Sequence, residues 1–537
     1  MWRQNYIPID GQLGLSALLA AAPIFTLLLL LGVLRKPAWM AALSGLATAA
    51  IVALFLYGMP VSMVISSITY GAAFGLLPIS WIVFSAILLY RITLETGKFE
   101  IIKDSIGGLT TDRRLQALLI AFAFGAFIEG AAGFGSPVAI AAAMLTGLGF
   151  SPFYAAGICL LANTAPVAFG SIGIPVITLA GITGLPAKQL SAAVGQICAP
   201  VAFFVPAYLV WVMGGFRGLK GVLLAALLCG GAFAGFQFLV SNYIGPDLVD
   251  ITSSLAAIGS LVVLLKLWKP ADSFQLEGES SAVIVRKVHP TGEVFKAWLP
   301  YLLLVVFVLV WGQDAAKLQL NKVTQAIPWP GLHNMIEQAP PVVAKVAPYK
   351  AMYNFNWLSA SGTATLLAAL LSALILGVSF TQFLGIIRTT LKQLALPTLT
   401  IASVLGMAFL LNYCGATATL GLAFAATGVL FPFFSALLGW LGVFLTGSDT
   451  SANALFGNLQ VVTATRLGLD PVLMAAANSS GGVMGKMISL QSIAVAAAAT
   501  GMKPEDEAKL FRFTLRHSIF LATVIGLIVM VYAYLRG

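Results

Sequence analysis

The chain has 537 residues, of which 59% are hydrophobic and only 9% charged, and its net charge is +10. Soluble domains carry about 25% charged residues, and a mean hydropathy of +0.97 excludes both a water-soluble globular protein and a disordered one. The composition therefore predicts a polytopic membrane protein.

Apolar runs long enough to cross about 30 Å of hydrocarbon as helices occur along the whole chain. They cover residues 12–34, 38–57, 66–90, 190–213, 221–240, 250–267, 297–312, 360–379, 385–411, 419–438 and 516–535. Two further regions, 114–182 and 439–500, are apolar but interrupted by Gly, Pro, Asn, Ser and Thr. We predict an all-α fold of about 12 to 14 transmembrane crossings, some of them broken or re-entrant. Non-helical backbone at membrane depth must be buried, so both interrupted regions are predicted to form the core.

The connecting loops differ in charge. Lys and Arg are concentrated around residues 35–36, 91–114, 217–220, 266–296 and 503–516, whereas the Ser241–Asp250 loop carries only acids. The positive-inside rule places the basic loops in the cytoplasm and both termini on the opposite side. We divide the chain into a first transmembrane half (1–267), a cytoplasmic linker (268–296) and a second half (297–537) that contains an external linker (313–358). No array of basic and aromatic residues indicates nucleic-acid binding.

Cysteine and histidine give no sign of a metal or cofactor. The four cysteines lie in apolar runs without paired spacing, and the three histidines are scattered in or near polar segments. Such a distribution is typical of small core residues rather than of a disulfide framework or a metal site. We predict neither a cofactor nor a metal.

The two interrupted regions resemble each other. Gly125–Gly130, Asn163-Thr164 and Gly170 correspond to Gly442–Gly447, Asn478-Ser479 and Gly485, at a nearly constant offset of about 315 residues. Paired Gly-interrupted segments indicate a repeat-built carrier whose site lies where the broken helices meet. Short matches in Gly/Ala-rich sequence also arise by chance, and that alternative stays open.

Three ionisable residues lie deep in apolar sequence, where each costs at least about 2.5–3.5 kcal/mol. Glu129 precedes a Gly-rich break and is suited to carrying a proton or to a structural role, such as capping a half-helix. Asp449, between Ser448 and Thr450, could contact a substrate or simply begin a half-helix. Lys486 is either a counter-charge for a substrate carboxylate or the partner of an internal salt bridge with Glu129 or Asp449.

Polar side chains accompany these charges in both regions. Asn163 and Thr164 stand before Pro166, and Asn478 and Ser479 stand in the matching segment. They could satisfy backbone freed by a helix break or bind a ligand hydroxyl. Asn356, after the external linker, is a weaker candidate because an interfacial anchor explains its surroundings.

Four segments resemble the bacterial lactate permease family: Gly125–Ile140, Asn163–Pro175, Trp440–Asn453 and Asn478–Gln491. Trp2–Tyr6 and Arg512–Ser518 add to the resemblance, which covers essentially the whole chain. It implies an ion-transporter-like fold with two inverted repeats in the bacterial inner membrane, importing small 2-hydroxy-monocarboxylates such as lactate and glycolate with protons. One departure is Leu490, where the family has proline, and it puts the helix break near Lys486 in doubt.

The sequence thus predicts a proton-coupled secondary transporter for lactate-like anions, embedded in a lipid bilayer. A sodium-coupled carboxylate carrier is the alternative, since Ser, Thr and Asn side chains and unwound carbonyls also coordinate Na⁺. An intramembrane hydrolase built on Gly133–Ser136 is disfavoured, because the apolar runs hold no suitably placed histidine and HExxH is absent. A channel is disfavoured as well. The sequence predicts neither the oligomeric state nor the preference among L-lactate, D-lactate and glycolate.

Overall fold

The structure is a computed structural model that describes residues 1–133, 136–272, 274, 289–343 and 345–535. Helices predominate among these residues, and the few strands are short. The predicted all-α polytopic fold is therefore confirmed.

The helices of the first half follow one another with short connections. In chain order they are α1 (Leu13–Ala20), α2 (Ala22–Leu28), α3 (Ala38–Ile51), α4 (Val61–Phe74), α5 (Trp81–Glu95), α6 (Lys98–Gly107), α7 (Arg113–Gln116), α8 (Gly125–Ala131), α9 (Ser136–Gly147), α10 (Pro152–Ala162), α11 (Ile174–Thr183), α12 (Ala187–Tyr243) and α13 (Val249–Leu267). Wider, π-helical turns continue several of them, at Leu29–Val33, Val52–Leu56, Gly75–Ser80 and Ala117–Phe124.

The second half contains the remaining helices and most of the strands. The helices are α14 (Thr291–Gly312), α15 (Asp314–Leu320), α16 (Ser361–Ile375), α17 (Phe380–Cys414), α18 (Ala416–Phe424), α19 (Phe431–Thr446), α20 (Asp449–Leu467), α21 (Pro471–Lys486), α22 (Leu490–Thr500) and α23 (Pro504–Leu535). The strands are β1 (Trp2–Arg3), β2 (Gln325–Pro328), β3 (Ile336–Gln338), β4 (Ala347–Pro348) and β5 (Met352–Phe355).

The number of crossings depends on how the long helices are counted. Within the described residues, ten helical segments are long and apolar enough to cross a membrane, or eleven with the bent pair at the N-terminus. Helix α12 counts once, although its 57 residues would extend about 85 Å and it is kinked at Gly215. The two predicted crossings 190–213 and 221–240 both fall within α12. Counting α12 as two crossings raises the total from eleven to twelve. Helices α9 and α10 are too short for a full straight crossing, as expected of broken elements.

The two interrupted regions have the same order of elements. In each region a helix ends at a break, a second and a third helix follow, and a further break leads to a short last helix: α8 to α11 in the first region and α19 to α22 in the second. The last helix of each region packs against the other region, α11 on α20 and α22 on α9 and α10. This reciprocal packing is what a repeated architecture produces. The inverted orientation of the two copies stays a prediction.

The interrupted regions also contain the most completely buried stretches of the chain. Residues 114–133, 155–176 and 473–485 are buried without exception. Helices α19 and α21 approach so closely that a Cβ on Gly439 would overlap the carbonyl oxygen of Asn478, and one on Gly481 that of Ala436. Small residues at such contacts let membrane helices pack backbone to backbone.

A buried arginine ties the start of the first interrupted region to the linker that follows α13. Arg114 is fully buried and forms salt bridges with Asp112 at 2.7 Å and Asp272 at 2.9 Å. It also donates to the carbonyl oxygen of Gly218 at 3.1 Å. The Arg114 guanidinium lowers the pKa of the Asp272 carboxyl through this hydrogen-bonded pair. Most of the predicted 268–296 linker, residues 273 and 275–288, lies outside the described residues.

The predicted external linker, 313–358, carries β structure that the sequence did not indicate. Strands β2 and β5 pair antiparallel, β3 pairs antiparallel with β4, and β3 also pairs in parallel with β1 at the N-terminus. The pairing of Trp2 with Ile336 places the N-terminus on the same side of the molecule as this linker. Which side faces the cytoplasm stays a prediction.

The backbone contact between α19 and α21 should make Gly481 sensitive to added volume. We expect Gly481→Ala to lower the free energy of unfolding by about 1–3 kcal/mol or more, because its Cβ has no space beside Ala436. Thermal unfolding in detergent measures the effect. Gly259→Ala is the matched control, since a Cβ at this position in α13 meets nothing within 4 Å. Equal unfolding temperatures for the two variants would contradict the prediction.

Candidate functional site

The first helix break carries a buried carboxyl. Helix α8 ends at Ala131, and Gly133 adopts a φ of +56°, which glycine takes without strain. Glu129 lies in the last turn of α8 and is 6% exposed. Its Oε2 atom has no hydrogen-bond partner among the described residues. Phe134 and Gly135, which belong to the Gly-rich break predicted after Glu129, lie outside the described residues.

The break between α10 and α11 brings Asn163 to this carboxyl. Asn163 follows the last residue of α10, is almost fully buried, and interacts through its side chain with Glu129. Its Oδ1 atom has no partner in the described part of the chain. The hydroxyl of Thr164 instead donates to the carbonyl oxygen of Leu161 at 2.7 Å. Thr164 therefore satisfies freed backbone, whereas Asn163 keeps an unused acceptor beside Glu129.

In the second interrupted region, the break between α19 and α20 is closed by a capping residue. Gly447 ends α19 with a φ of +70°, and the Ser448 hydroxyl accepts from the backbone N–H of Ser451 at 3.2 Å. Ser448 is thus the N-cap, and Asp449 is the first residue of α20. The half-buried Thr450 has no part in the hydrogen bonds described below.

Asp449 is held by hydrogen bonds from two helices. Its Oδ2 atom accepts from the Ser479 hydroxyl at 2.6 Å and from the Asn453 amide at 3.2 Å. Its Oδ1 atom has no partner among the residues that the structure describes. Gly482 leaves room for that oxygen, because a Cβ at this position would overlap it. Asp449 therefore joins α20 to α21 while one of its oxygens stays unused.

Three amide side chains extend this network. The Asn478 amide donates to Asn453 Oδ1 at 2.9 Å, and the Gln460 amide donates to Asn478 Oδ1 at 3.0 Å. The Asn453 amide also donates to the carbonyl oxygen of Pro175 at 3.2 Å, in α11 of the first interrupted region. Sequence reasoning singled out Asn478 and Ser479 but missed Asn453 and Gln460. Asp449, Asn453 and Gln460 recur along α20 at spacings of four and seven residues, which put them on one face of the helix and were the available signal.

Lys486 lies between the break after α8 and the break after α19. It ends α21, and its Nζ atom donates to the carbonyl oxygen of Gly447 at 2.5 Å. It interacts electrostatically with both Glu129 and Asp449, but forms no direct ion pair with either within the described ranges. The helix breaks after Lys486 even with Leu490 in place of proline, because Ser489 caps α22 by accepting from the N–H of Ser492.

A further carboxyl, which sequence reasoning assigned to a loop, belongs to the same site. Asp250 is the second residue of α13 and is 2% exposed. It interacts electrostatically with Glu129, and a Cβ on Gly130 would lie 2.9 Å from its own Cβ. Its position between Val249 and Ile251, at the start of an apolar run, was the signal for burial.

The nine predicted residues thus fall into groups with different surroundings. Glu129 and Asn163 in the first interrupted region have oxygens without hydrogen-bond partners among the described residues, and Lys486 interacts electrostatically with Glu129. Ser448, Asp449, Asn478 and Ser479 are largely engaged with one another or with backbone. Thr164 and Thr450 belong to neither group. The first group has the chemistry to bind a small hydroxylated anion and a proton, while the second holds the helices in place.

Asn356 lies elsewhere, in a cavity on the side of the β-strands. This cavity has a volume of about 290 Å³, and its walls include Asp247, Lys317 and Ser361. Burial raises the pKa of the Asp247 carboxyl, while Ser361 and Lys317 act in the opposite direction. Asn356 is therefore not part of the site around Lys486.

Comparison with known proteins identifies relatives over the whole length. The family model for L-lactate permease matches residues 16–536. The chain is 48% identical to the L-lactate permease of Bacillus subtilis, covering 98% of this chain and 97% of that protein. It is 46% identical to the glycolate permease GlcA of Escherichia coli K12 and 44% identical to the L-lactate permease of the same strain, each covering 99% of this chain and 98% of the relative.

A solved structure shares the fold. MtrF of Neisseria gonorrhoeae, an antimetabolite efflux pump, superposes with a TM-score of 0.51 at 14% identity. The match covers 95% of this chain and 97% of MtrF. At this level of identity the similarity concerns the arrangement of helices alone.

Asn453 lies at the centre of the hydrogen-bond network in the second interrupted region, so its substitution should lower stability more than that of a residue outside the network. We expect Asn453→Ala to lower the free energy of unfolding by about 1–3 kcal/mol, because it removes the buried hydrogen bonds that Asn453 forms with Asp449, Asn478 and the carbonyl oxygen of Pro175. Thermal unfolding of purified protein provides the measurement. Asn458→Ala, which removes only a 3.2 Å bond to Asn412 Oδ1, is the control. A variant as stable as this control would show that the network does not support the fold.

Proposed function

Since the chain belongs to the L-lactate permease family, we propose that it is a secondary active transporter that imports lactate, glycolate and related small 2-hydroxy-monocarboxylates together with a proton. Relatives that are L-lactate permeases and a glycolate permease support the substrate class. Membership of a permease family supports a transporter rather than an enzyme. We assign it to the bacterial cytoplasmic membrane, with both termini on the outer side.

The observation that carries this proposal is the position of Lys486. An ammonium group at membrane depth requires negative charge nearby, and Lys486 interacts with two carboxyls without a direct ion pair to either. We assign it the substrate's carboxylate as a partner during the transport cycle. The ligand's 2-hydroxyl would then bond to Asn163, whose buried Oδ1 atom has no partner among the described residues. A ligand without the hydroxyl would leave that buried group unpaired, which accounts for selectivity.

Proton coupling follows from charge balance. Moving one uncompensated charge against a potential of 100 mV costs about 2.3 kcal/mol. A monoanion that crosses with one proton moves no net charge and avoids this cost. Glu129 is the proposed proton carrier, because its carboxyl is buried, incompletely bonded and within electrostatic reach of Lys486.

Sodium coupling is the competing proposal, favoured by the unwound backbone at both breaks and the hydroxyl-bearing side chains around them. Purified protein in liposomes distinguishes the two. Proton symport predicts lactate accumulation under a pH gradient without Na⁺, and no accumulation under a Na⁺ gradient at equal pH. The reverse pattern would reject proton coupling.

We predict that Glu129→Gln abolishes lactate accumulation driven by a pH gradient, yet retains part of the exchange of labelled for unlabelled lactate. The amide keeps the shape of the side chain but cannot cycle a proton, and exchange does not require that cycle. Both activities are measured in the same liposomes. Glu100→Gln, an exposed residue paired with Lys103, should behave like the parent protein. Unimpaired uphill uptake by folded Glu129→Gln protein would reject its assignment as proton carrier.

We predict that Lys486→Met raises the apparent KM for lactate at least about tenfold, because a charge-assisted hydrogen bond contributes roughly 1.5–3 kcal/mol. Lys486→Arg should restore only part of the affinity, since a planar guanidinium does not reproduce an ammonium group. Lys392→Met, at an exposed position of α17, is the control. Parental affinity in folded Lys486→Met protein would exclude the carboxylate role.

The salt-bridge alternative for Lys486 gives a different result. If Lys486 serves only to compensate Asp449 or Glu129, its loss leaves a buried carboxylate without a counter-charge and lowers the stability. Replacing that carboxyl by its amide in a double variant should then restore the stability. Thermal unfolding of the single and double variants measures this coupling. Substrate binding through Lys486 predicts instead that the double variants still lack lactate affinity.

A further inference from the structure

Asp250 is a buried carboxyl without the donors that ordinarily stabilise a carboxylate. Neither of its oxygens has a hydrogen-bond partner in the portion of the chain that the structure describes. The backbone N–H of Gly170 faces the carboxyl, but it already donates to the carbonyl oxygen of Pro166 at 3.0 Å. An ionised group in such surroundings is costly unless a counter-charge or a proton compensates it.

Close backbone packing holds Asp250 beside Glu129. A Cβ on Gly130 would lie 2.9 Å from the Cβ of Asp250 and 3.0 Å from the backbone nitrogen of Ile251. Helix α8 can therefore approach α13 this closely only with glycine at position 130. Glu129 is the neighbouring residue, and its carboxyl interacts electrostatically with that of Asp250. Gly130 thus lets the backbone that carries Glu129 approach Asp250 closely.

The other ionisable groups around this pair leave an excess of negative charge. Lys486 from α21 interacts with Glu129 and Asp449, and Cys198 from α12 interacts with Asp250 and Asp449. Together with the pair itself, these groups comprise three carboxyls, one ammonium group and one thiol. Two like charges repel strongly where the dielectric constant is low, so neighbouring buried carboxyls favour sharing a proton over ionising together.

We propose that Glu129 and Asp250 form an electrostatically coupled carboxyl pair that binds the coupled proton, so that ionisation of one carboxyl favours protonation of the other. This inference rests on the proton symport proposed above and adds Asp250 to the residues that perform it. In the empty carrier, Lys486 partly compensates the negative charge of the pair. A substrate carboxylate that binds Lys486 withdraws that compensation, so the pair takes up a proton as the anion binds. Because such coupling is reciprocal, a bound proton also raises the affinity for the anion.

The test compares parent protein with Asp250→Asn in liposomes that contain a pH-sensitive dye, using lactate-induced proton uptake across a range of pH. Removing the neighbouring negative charge makes Glu129 easier to ionise. The midpoint of the pH profile should therefore shift toward acid by about one unit or more. Because a bound proton raises the affinity for lactate, the apparent lactate affinity of the variant should fall as the pH rises through this shifted midpoint.

Asp470→Asn is the matched control. Asp470 is an exposed N-cap that accepts from the N–H of Val472, and asparagine caps a helix equally well. Its pH profile should match that of the parent protein. An unshifted midpoint in folded Asp250→Asn protein overturns the pair. Asp250→Ser removes the same charge with a smaller side chain, and it answers the question if the asparagine variant does not fold.

The parent protein separates failure of this inference from failure of the proposed function. Lactate uptake without proton uptake by the parent protein rejects proton symport itself, and the carboxyl pair with it. Proton uptake by the parent protein together with an unshifted Asp250→Asn profile rejects only the pair. A shifted midpoint in both Asp250 variants, with the control unchanged, supports the pair.

Discussion

The free-energy cost of an ionised side chain at membrane depth constrains the rest of this structure. Glu129, Asp250 and Asp449 are buried and Lys486 is partly buried, so each requires a counter-charge, hydrogen-bond donors or a proton. Helix breaks bring these groups together, since the unwound backbone must itself be buried in protein. The same places therefore collect charge, free backbone groups and polar side chains.

The two interrupted regions meet this constraint differently. In the second region Asp449, Asn453, Asn478 and Ser479 bond to one another, and the glycine contacts of α19 with α21 keep the helices close. This network rigidifies its surroundings, although Asp449 Oδ1 has no partner among the described residues. Under the proposed function, Glu129 and Asn163 of the first region bind proton and substrate together with Lys486 of the second, and the network holds the helices that carry them.

Capping explains why a departure from the family's sequence pattern leaves the site intact. Leu490 stands where the resemblance to the family implies a proline, which would interrupt a helix, yet α21 still ends at Lys486. Ser489 supplies the alternative, since its hydroxyl accepts from the N–H of Ser492 and begins α22. Local hydrogen bonding therefore preserves the break, and with it the position of the ammonium group beside Gly447.

The sequence by itself determined the fold class, the apolar runs, both interrupted regions and the charges Glu129, Asp449 and Lys486, because hydrophobicity and helix-breaking residues act locally. Only the tertiary structure decided that Asp250 is buried beside Glu129, that Thr164 bonds to its own helix and that Asn453 links α20 to α11. It also decided that Trp2 pairs with Ile336. These outcomes depend on contacts between residues far apart in the chain, which no local pattern encodes.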